Sequence, residues 1–194
     1  MSIQPIRPPG RLLTVAEYLA IGEVEPGYTE LVEGRLLVSP SPVPDHSHAS
    51  TALWAIVSRR VQPEFEALLD LDVDLQLVPD DAPGTVRRPD LVVVPREARR
   101  RIRREGGTVR AAEVLLAVEI VSPGSRRMDN VMKRVEYADA GIPHYWVVDL
   151  DEPVSLLACH LGGEFGYVDG GAVTGTFRTT EPFPAAIDLA ALLN

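Results

Sequence analysis

The chain has 194 residues, 45% of them hydrophobic and 24% charged, which is the balance of an ordinary globular domain with a sizeable core. The formal charge of −9 argues against a simple nucleic-acid binder, and the single cysteine, Cys159, excludes an internal disulfide or a thiolate-rich zinc site. No run approaches the roughly 18 apolar residues of a membrane span, and the N-terminal stretch lacks a signal-peptide core, so a soluble, cytoplasmic protein is expected.

In chain order, Thr14 to Ile21 reads as a short helix, with Thr14 as N-cap and Glu17 three residues on. YTELVEGRLLVS follows as two β-favouring runs around Glu33-Gly34, a hairpin pattern. Residues 39–44 are a Pro-rich loop, and Asp45 is placed to cap a helix whose apolar residues Leu53, Ile56, Val57 and Val61 recur at helical spacing. From Ala67 to Val78 apolar and acidic residues alternate, which predicts one strand with a wet face. Leu91 to Val94 is a short apolar strand after Pro89, and the arginine-rich residues 96–105 form a solvated helix ending at Gly106-Gly107. Val114 to Val121 is almost wholly apolar, as in a central strand buried on both faces. Residues 122–125 are a turn and cap, a helix runs to Gly141, and His144 to Leu150 is another buried strand. Residues 154–168 pattern as a hairpin turning near Gly162-Gly163, and the tail as loop with a short helix from Ala185. No repeat or long linker divides the chain, so one domain, residues 1–194, is expected.

Charge is unevenly spread. Residues 1–85 carry a net −8, residues 86–134 a net +7 and residues 135–194 a net −8. The acidity of the whole hides a basic middle that would attract a polyanion if it folded onto one face; a solvated arginine helix is the competing account.

Three residues stand out chemically. Glu119 interrupts an otherwise apolar core strand, and a buried carboxylate requires a cation, a metal or a proton unless the strand end emerges into solvent. Asp90 begins the neighbouring short strand; pairing of the two strands would bring the carboxylates close, and a divalent ion such as magnesium or manganese would relieve their repulsion. Lys133 is the only lysine beside 18 arginines. A position kept as lysine suits a compact charge meeting a single oxygen, which arginine cannot supply. Asp129, Lys133 and Tyr137 share a helical face at i, i+4 and i+8, an arrangement that a surface salt bridge would also explain. Glu30, His46 and His48 are further candidates, Glu30 as a metal ligand or water-orienting acid and His46 as a phosphate contact or acid. No Walker loop and no G-x-S-x-G motif is present.

TELVEGRLLVSPSP with His46, RRPDLVVV, AVEIVSPGS followed by the D-x3-K-x3-Y of Asp129, Lys133 and Tyr137, and GIPHYWVVDL occur in the order and approximate spacing of one family, over roughly residues 28–150. The sequence resembles the Uma-two family of restriction-endonuclease-like proteins, a branch of the PD-(D/E)XK nuclease superfamily. The resemblance implies an α/β (α+β) restriction-endonuclease-like core, a mixed central β-sheet flanked by helices, with the N-terminal helix and C-terminal hairpin as additions. It implies Asp90 and Glu119 as metal-binding acids with the Ile120 main-chain carbonyl, Glu30 as the upstream acid, and Mg2+ or Mn2+ as cofactor. The superfamily's lysine normally stands two residues after the second acid. Here that residue is Val121, and Lys133 from the following helix would take its place, supported by His46, Asp129 and Tyr137. The implied activity is endonucleolytic hydrolysis of DNA, with Arg87, Arg88, Arg99, Arg100 and Arg103 meeting the nucleic-acid backbone and a homodimer cutting both strands. Action on RNA or structured nucleic acid, or a nuclease fold kept as a binding module without catalysis, are the alternatives.

Overall fold

The computed structural model describes residues 10–22, 28–39, 42–121 and 131–194. Its centre is a mixed sheet in the order β11 (Tyr167–Asp169), β10 (Ser155–Leu161), β9 (His144–Asp149), β8 (Leu116–Val121), β6 (Leu91–Pro95), β3 (Phe65–Leu69). β8 and β9 are parallel, with Glu119 beside Val147, whereas β6 runs antiparallel to β8 and to β3. All six residues of β8 are buried, as its apolar run predicts for a strand covered on both faces.

Alternation along the strands sorts the core into two layers. On one face Leu116, Val118 and Ile120 join Leu91, Val93, Trp146 and Val148 beneath α2 (Pro44–Ser58), which contributes Ala49, Leu53 and Val57. On the other face Ala117 and Val121 meet Val92, Val94, Tyr145 and Val147, with Ala98 from α3 (Arg96–Glu105) and Tyr137 from α4 (Lys133–Asp139). α4 lies in the crossover that the parallel β8–β9 pair requires, and Gly141, at φ 77°, follows its end in the left-handed conformation typical of a helix stop.

A second sheet, in the order β2 (Arg35–Ser39), β1 (Tyr28–Val32), β5 (Val86–Arg87), β4 (Val73–Asp74), β7 (Val109–Arg110), carries Glu30 and Arg87. The N-terminal α1 (Val15–Ile21) packs there through Tyr18, starting from a complete Thr14/Glu17 capping box. Among the described residues, no helix is long and apolar enough to cross a membrane.

Three sequence-based expectations need correction. The alternating run 67–78 is two strands in two different sheets, β3 and β4; the chain turns between them at Asp70, which adopts positive φ (52°), and Gln76, also at 52°, follows β4. Asp45 does not cap α2. Val43 holds that position without a side-chain bond, Pro44 opens the helix, and Asp45 sits in its first turn, where a negative charge suits the helix dipole. The tail is not loop and helix: β12 (Val173–Thr174) pairs with β10, β13 (Thr176–Thr179) pairs with β14 (Ala185–Asp188), and a 3-10 turn follows at Ala190–Leu193. Phe177, Phe183, Ile187 and Leu192 reach the core, where Phe177 and Phe183 meet Trp146, so the tail completes one face of the main sheet.

Candidate active site

Glu119 sits on the face of β8 that α4 covers, with 3% of its surface exposed. Lys133, the first residue of α4, places Nζ 2.9 Å from Glu119 Oε1 and 3.1 Å from Glu30 Oε1. One helical turn further on, the Tyr137 hydroxyl donates to the same Glu119 oxygen at 2.7 Å. The i, i+4 spacing of Lys133 and Tyr137 thus aims both groups at one carboxylate. Burial and the adjacent Glu119 raise the Tyr137 pKa well above the ordinary phenol value, so the hydroxyl remains a neutral donor.

Glu30, on β1, is the hub between the two sheets. Its Oε2 accepts from Arg87 Nη1 at 2.9 Å, and its Oε1 accepts from the Arg88 backbone N–H at 3.0 Å as well as facing Lys133. Burial alone would raise its pKa; Lys133 and Arg87 outweigh that and hold the carboxyl below the ordinary value. Arg87 has no exposed surface and reaches on from Glu30 to Glu136 on α4, through Nε to Oε2 at 2.6 Å and Nη2 to Oε1 at 2.8 Å. This bidentate pair anchors α4 to the second sheet. Glu136 was not marked by the sequence. Its signal is visible only afterwards, as a carboxylate three residues after Lys133.

Asp90 lies one residue before β6. Continuing the β6–β8 register by one sets it opposite Glu119, and the β6–β3 register sets it opposite Asp70. Its Oδ2 accepts the Ile120 N–H at 2.6 Å, and its Oδ1 is 3.2 Å from His46 Nε2 in the first turn of α2. The ring also lies near the Ile120 main chain, whose influence favours the protonated form. Burial would lower the His46 pKa, but Asp90 and Ile120 raise it overall. Asp70, missed in the sequence, donates its N–H to the Asp90 carbonyl at 3.4 Å. Its own carboxyl is raised, by burial first and then by the charge of Asp90.

The acids named from sequence therefore lie together at one end of the main sheet, in two adjoining groups. Glu119, Lys133, Tyr137 and Glu30 form one, and Asp90, His46 and Ile120 the other. Asp129 lies outside the described residues. His48 is exposed, with Nε2 3.2 Å from the Asn194 carbonyl oxygen.

The arginines divide differently. Arg87, expected to meet nucleic acid, is a wholly buried structural cation. Arg88 is mostly buried, pairs with Asp72 at 2.7 Å and lies over the Tyr28 ring. Arg99, Arg100 and Arg103 are exposed on α3, where Arg99 pairs with Glu66. α3 leaves the opposite end of β6 from Asp90, five residues or roughly 17 Å away.

Lys133 thus faces Glu30 and Glu119, and Arg87 faces Glu30 and the part-buried Glu136. Among the described residues, no three His, Cys, Asp or Glu side chains form a group that could hold a metal ion by themselves. Asp90, Glu119 and the Ile120 carbonyl offer oxygen donors, the donor type that a hard divalent ion takes.

A family described as "Putative restriction endonuclease", Uma2, matches residues 15–187. The chain belongs to the Uma2 family. Its fold is similar to that of a crystal structure from Anabaena variabilis, described as a putative nuclease belonging to DUF820. The TM-score is 0.66 at 20% identity, covering 93% of this chain and 97% of that one. No curated protein matches. In this Uma2 chain the residue two after Glu119 is the buried Val121, and the lysine at Glu119 comes from α4.

Proposed function

We propose that this Uma2 protein is an endonuclease that hydrolyses phosphodiester bonds in DNA with Mg2+ or Mn2+. The observation that carries the reading is Lys133 Nζ at 2.9 Å from Glu119 Oε1: the chain's only lysine is buried against the strand carboxylate, although the strand position two residues on is apolar. Asp90, Glu119 and the Ile120 carbonyl would hold the ion, which when bound would lower the pKa of a coordinated water and polarise the phosphate. Lys133 would orient the attacking water and offset charge growing on the phosphoryl oxygens. Tyr137 keeps the Glu119 carboxylate directed toward Lys133, and Glu30 with Arg87 holds the ammonium from the other side. The exposed Arg100 and Arg103 would meet the backbone away from the scissile bond, and two copies related by a two-fold axis would cut both strands.

The test is cleavage of single-stranded, duplex and branched DNA with each metal and with EDTA. Wild type is expected to cut only with metal. Lys133→Ala, Asp90→Ala and Glu119→Ala should each lose about 100-fold or more in kcat. Lys133→Arg should not restore activity, because a planar guanidinium spans two oxygens where an ammonium meets one. DNA binding without cleavage under any metal would overturn the proposal and leave a binding module.

A further inference from the structure

Glu136 has no part in the reaction above, yet it ties the helix that carries Lys133 to the strands around it. It stands three residues after Lys133, just under one turn of α4, so both side chains leave the helix on one side. There they meet neighbouring strands of the second sheet. Lys133 Nζ lies 3.1 Å from Glu30 Oε1 on β1, and Glu136 accepts from Arg87 on β5, with Nε to Oε2 at 2.6 Å and Nη2 to Oε1 at 2.8 Å. Arg87 Nη1 returns to Glu30 Oε2 at 2.9 Å. The contacts close a ring: Lys133 to Glu30, Glu30 to Arg87, Arg87 to Glu136, and Glu136 back to Lys133 through one turn of main chain.

An ion pair on a helix is ordinary; a ring that begins and ends on the same helical turn and passes through a wholly buried guanidinium is more specific. A lysine has a flexible four-carbon stem, and its ammonium is a point charge with no planar fork to orient it. Fixing such a group requires holding both ends. A lysine two residues after Glu119 would have its base set by the sheet, but that residue is Val121, and Lys133 stands on a helix of seven residues. A helix so short has little stability of its own. Arg87 supplies the missing support, because its planar guanidinium takes Glu136 with two nitrogens and Glu30 with the third. Its grip on Glu136 sets where the base of Lys133 lies, and its grip on Glu30 sets where the ammonium points.

We infer that Glu136 is a positioning residue for Lys133 and acts through Arg87, one guanidinium fixing both the helix that carries the lysine and the carboxylate that receives it. Its effect on cleavage rests on the endonuclease reading above; its placing of the ammonium does not.

The test uses the full chain carrying lysine labelled with carbon-13 and nitrogen-15. Lys133 is the only lysine, so the single side-chain ammonium signal reports on it alone. In wild type the order parameter of the Cε–Nζ bond should lie near the rigid value of about 0.85, and in Glu136→Gln it should drop below about 0.6. Glu113→Gln breaks another two-bond arginine clamp, with Arg101, at a carboxylate of similar exposure (21% against 20%), and should leave the signal unchanged. Glu136→Asp keeps the charge but shortens the reach, so its value should lie below wild type; it decides the point if the glutamine variant does not fold. In cleavage, Glu136→Gln should lower kcat about tenfold or more with little change in KM, and should cause no further loss in Lys133→Ala. A mobile ammonium in wild type, an ammonium as rigid as wild type in the Glu136 variants, equal loosening in Glu113→Gln, or a kcat loss that persists in Lys133→Ala overturns the inference. A wild type that cuts no DNA under any metal, while its ammonium loosens in Glu136→Gln, overturns the endonuclease reading alone.

Discussion

At the scale of single residues, Arg87 shows most clearly how position changes meaning. In the sequence it is the first of two arginines before Pro89 and looks like a basic contact; in the structure it is a buried bridge between Glu30 and Glu136. Nothing local to RRPD distinguishes a solvated arginine from one sealed under a helix. Arg87→Met should cost about 3 kcal/mol or more, since the buried Glu30 and the part-buried Glu136 lose their partner, and chemical denaturation will read it. A cost under about 1 kcal/mol would mean that α4 is held by other contacts. Glu119 was legible for the opposite reason. A carboxylate inside an apolar strand contradicts its surroundings, and the partners it requires, Lys133 and Tyr137, lie on the next helix. Tyr137→Phe removes a buried hydrogen bond to a charged group and should cost about 1.5–3 kcal/mol while leaving the ring packed against Tyr145. Asp70 and Glu136 were not legible, because acidic side chains at strand ends and on helices are ordinary until the register places them.

Among the elements, caps and hairpins were the easiest to read. Thr14 and Glu17 form their capping box within four residues, so local sequence determines it. Thr14→Ala should lower stability by about 1 kcal/mol. Gly34 is more constrained than a hairpin turn alone demands. Its φ is 77°, and a Cβ there would lie 2.7 Å from Pro83 Cβ and 2.8 Å from Leu12 Cβ. Leu13, Gly34 and Gly84 also exchange three backbone hydrogen bonds, tying the segment before α1 to two turns. Gly34→Ala should therefore destabilise by well over the roughly 1–2 kcal/mol of left-handed strain alone, and a melting temperature near that of wild type would disprove the packing account. The division of residues 67–78 between two sheets was out of reach of the sequence. Alternation reports that one face is wet; it carries no sign of which sheet each half joins, and the positive φ at Asp70 is a tertiary choice.

Over the whole molecule, the charge pattern resolves into local pairings. Much of the basic middle is neutralised by nearby acids, Arg101 with Glu113 and Arg99 with Glu66 among them, so its +7 overstates the field that a polyanion would meet. The same pairs set the response to acid. The Arg101 hydrogen bond lowers Glu113, the Arg134 hydrogen bond lowers Asp169, and Glu30 is lowered despite its burial. A carboxyl held below its unfolded value stabilises fully above that value and loses the contribution as pH falls through the folded one. Stability should thus hold above about pH 4.5 and decline below it, with Asp70 and Asp74, shifted upward, opposing the trend weakly. A urea midpoint that rises between pH 5 and pH 3 would contradict this. Glu30 comes from β1, Arg87 from β5, Asp90 from the approach to β6, Glu119 from β8, and Lys133 from the helix beyond it. These groups run from position 30 to position 133, so no fragment that ends before α4 contains them all. If the centre cuts DNA, a nascent copy that ends before α4, or one in which α4 has not docked, is harmless to the genome that encodes it.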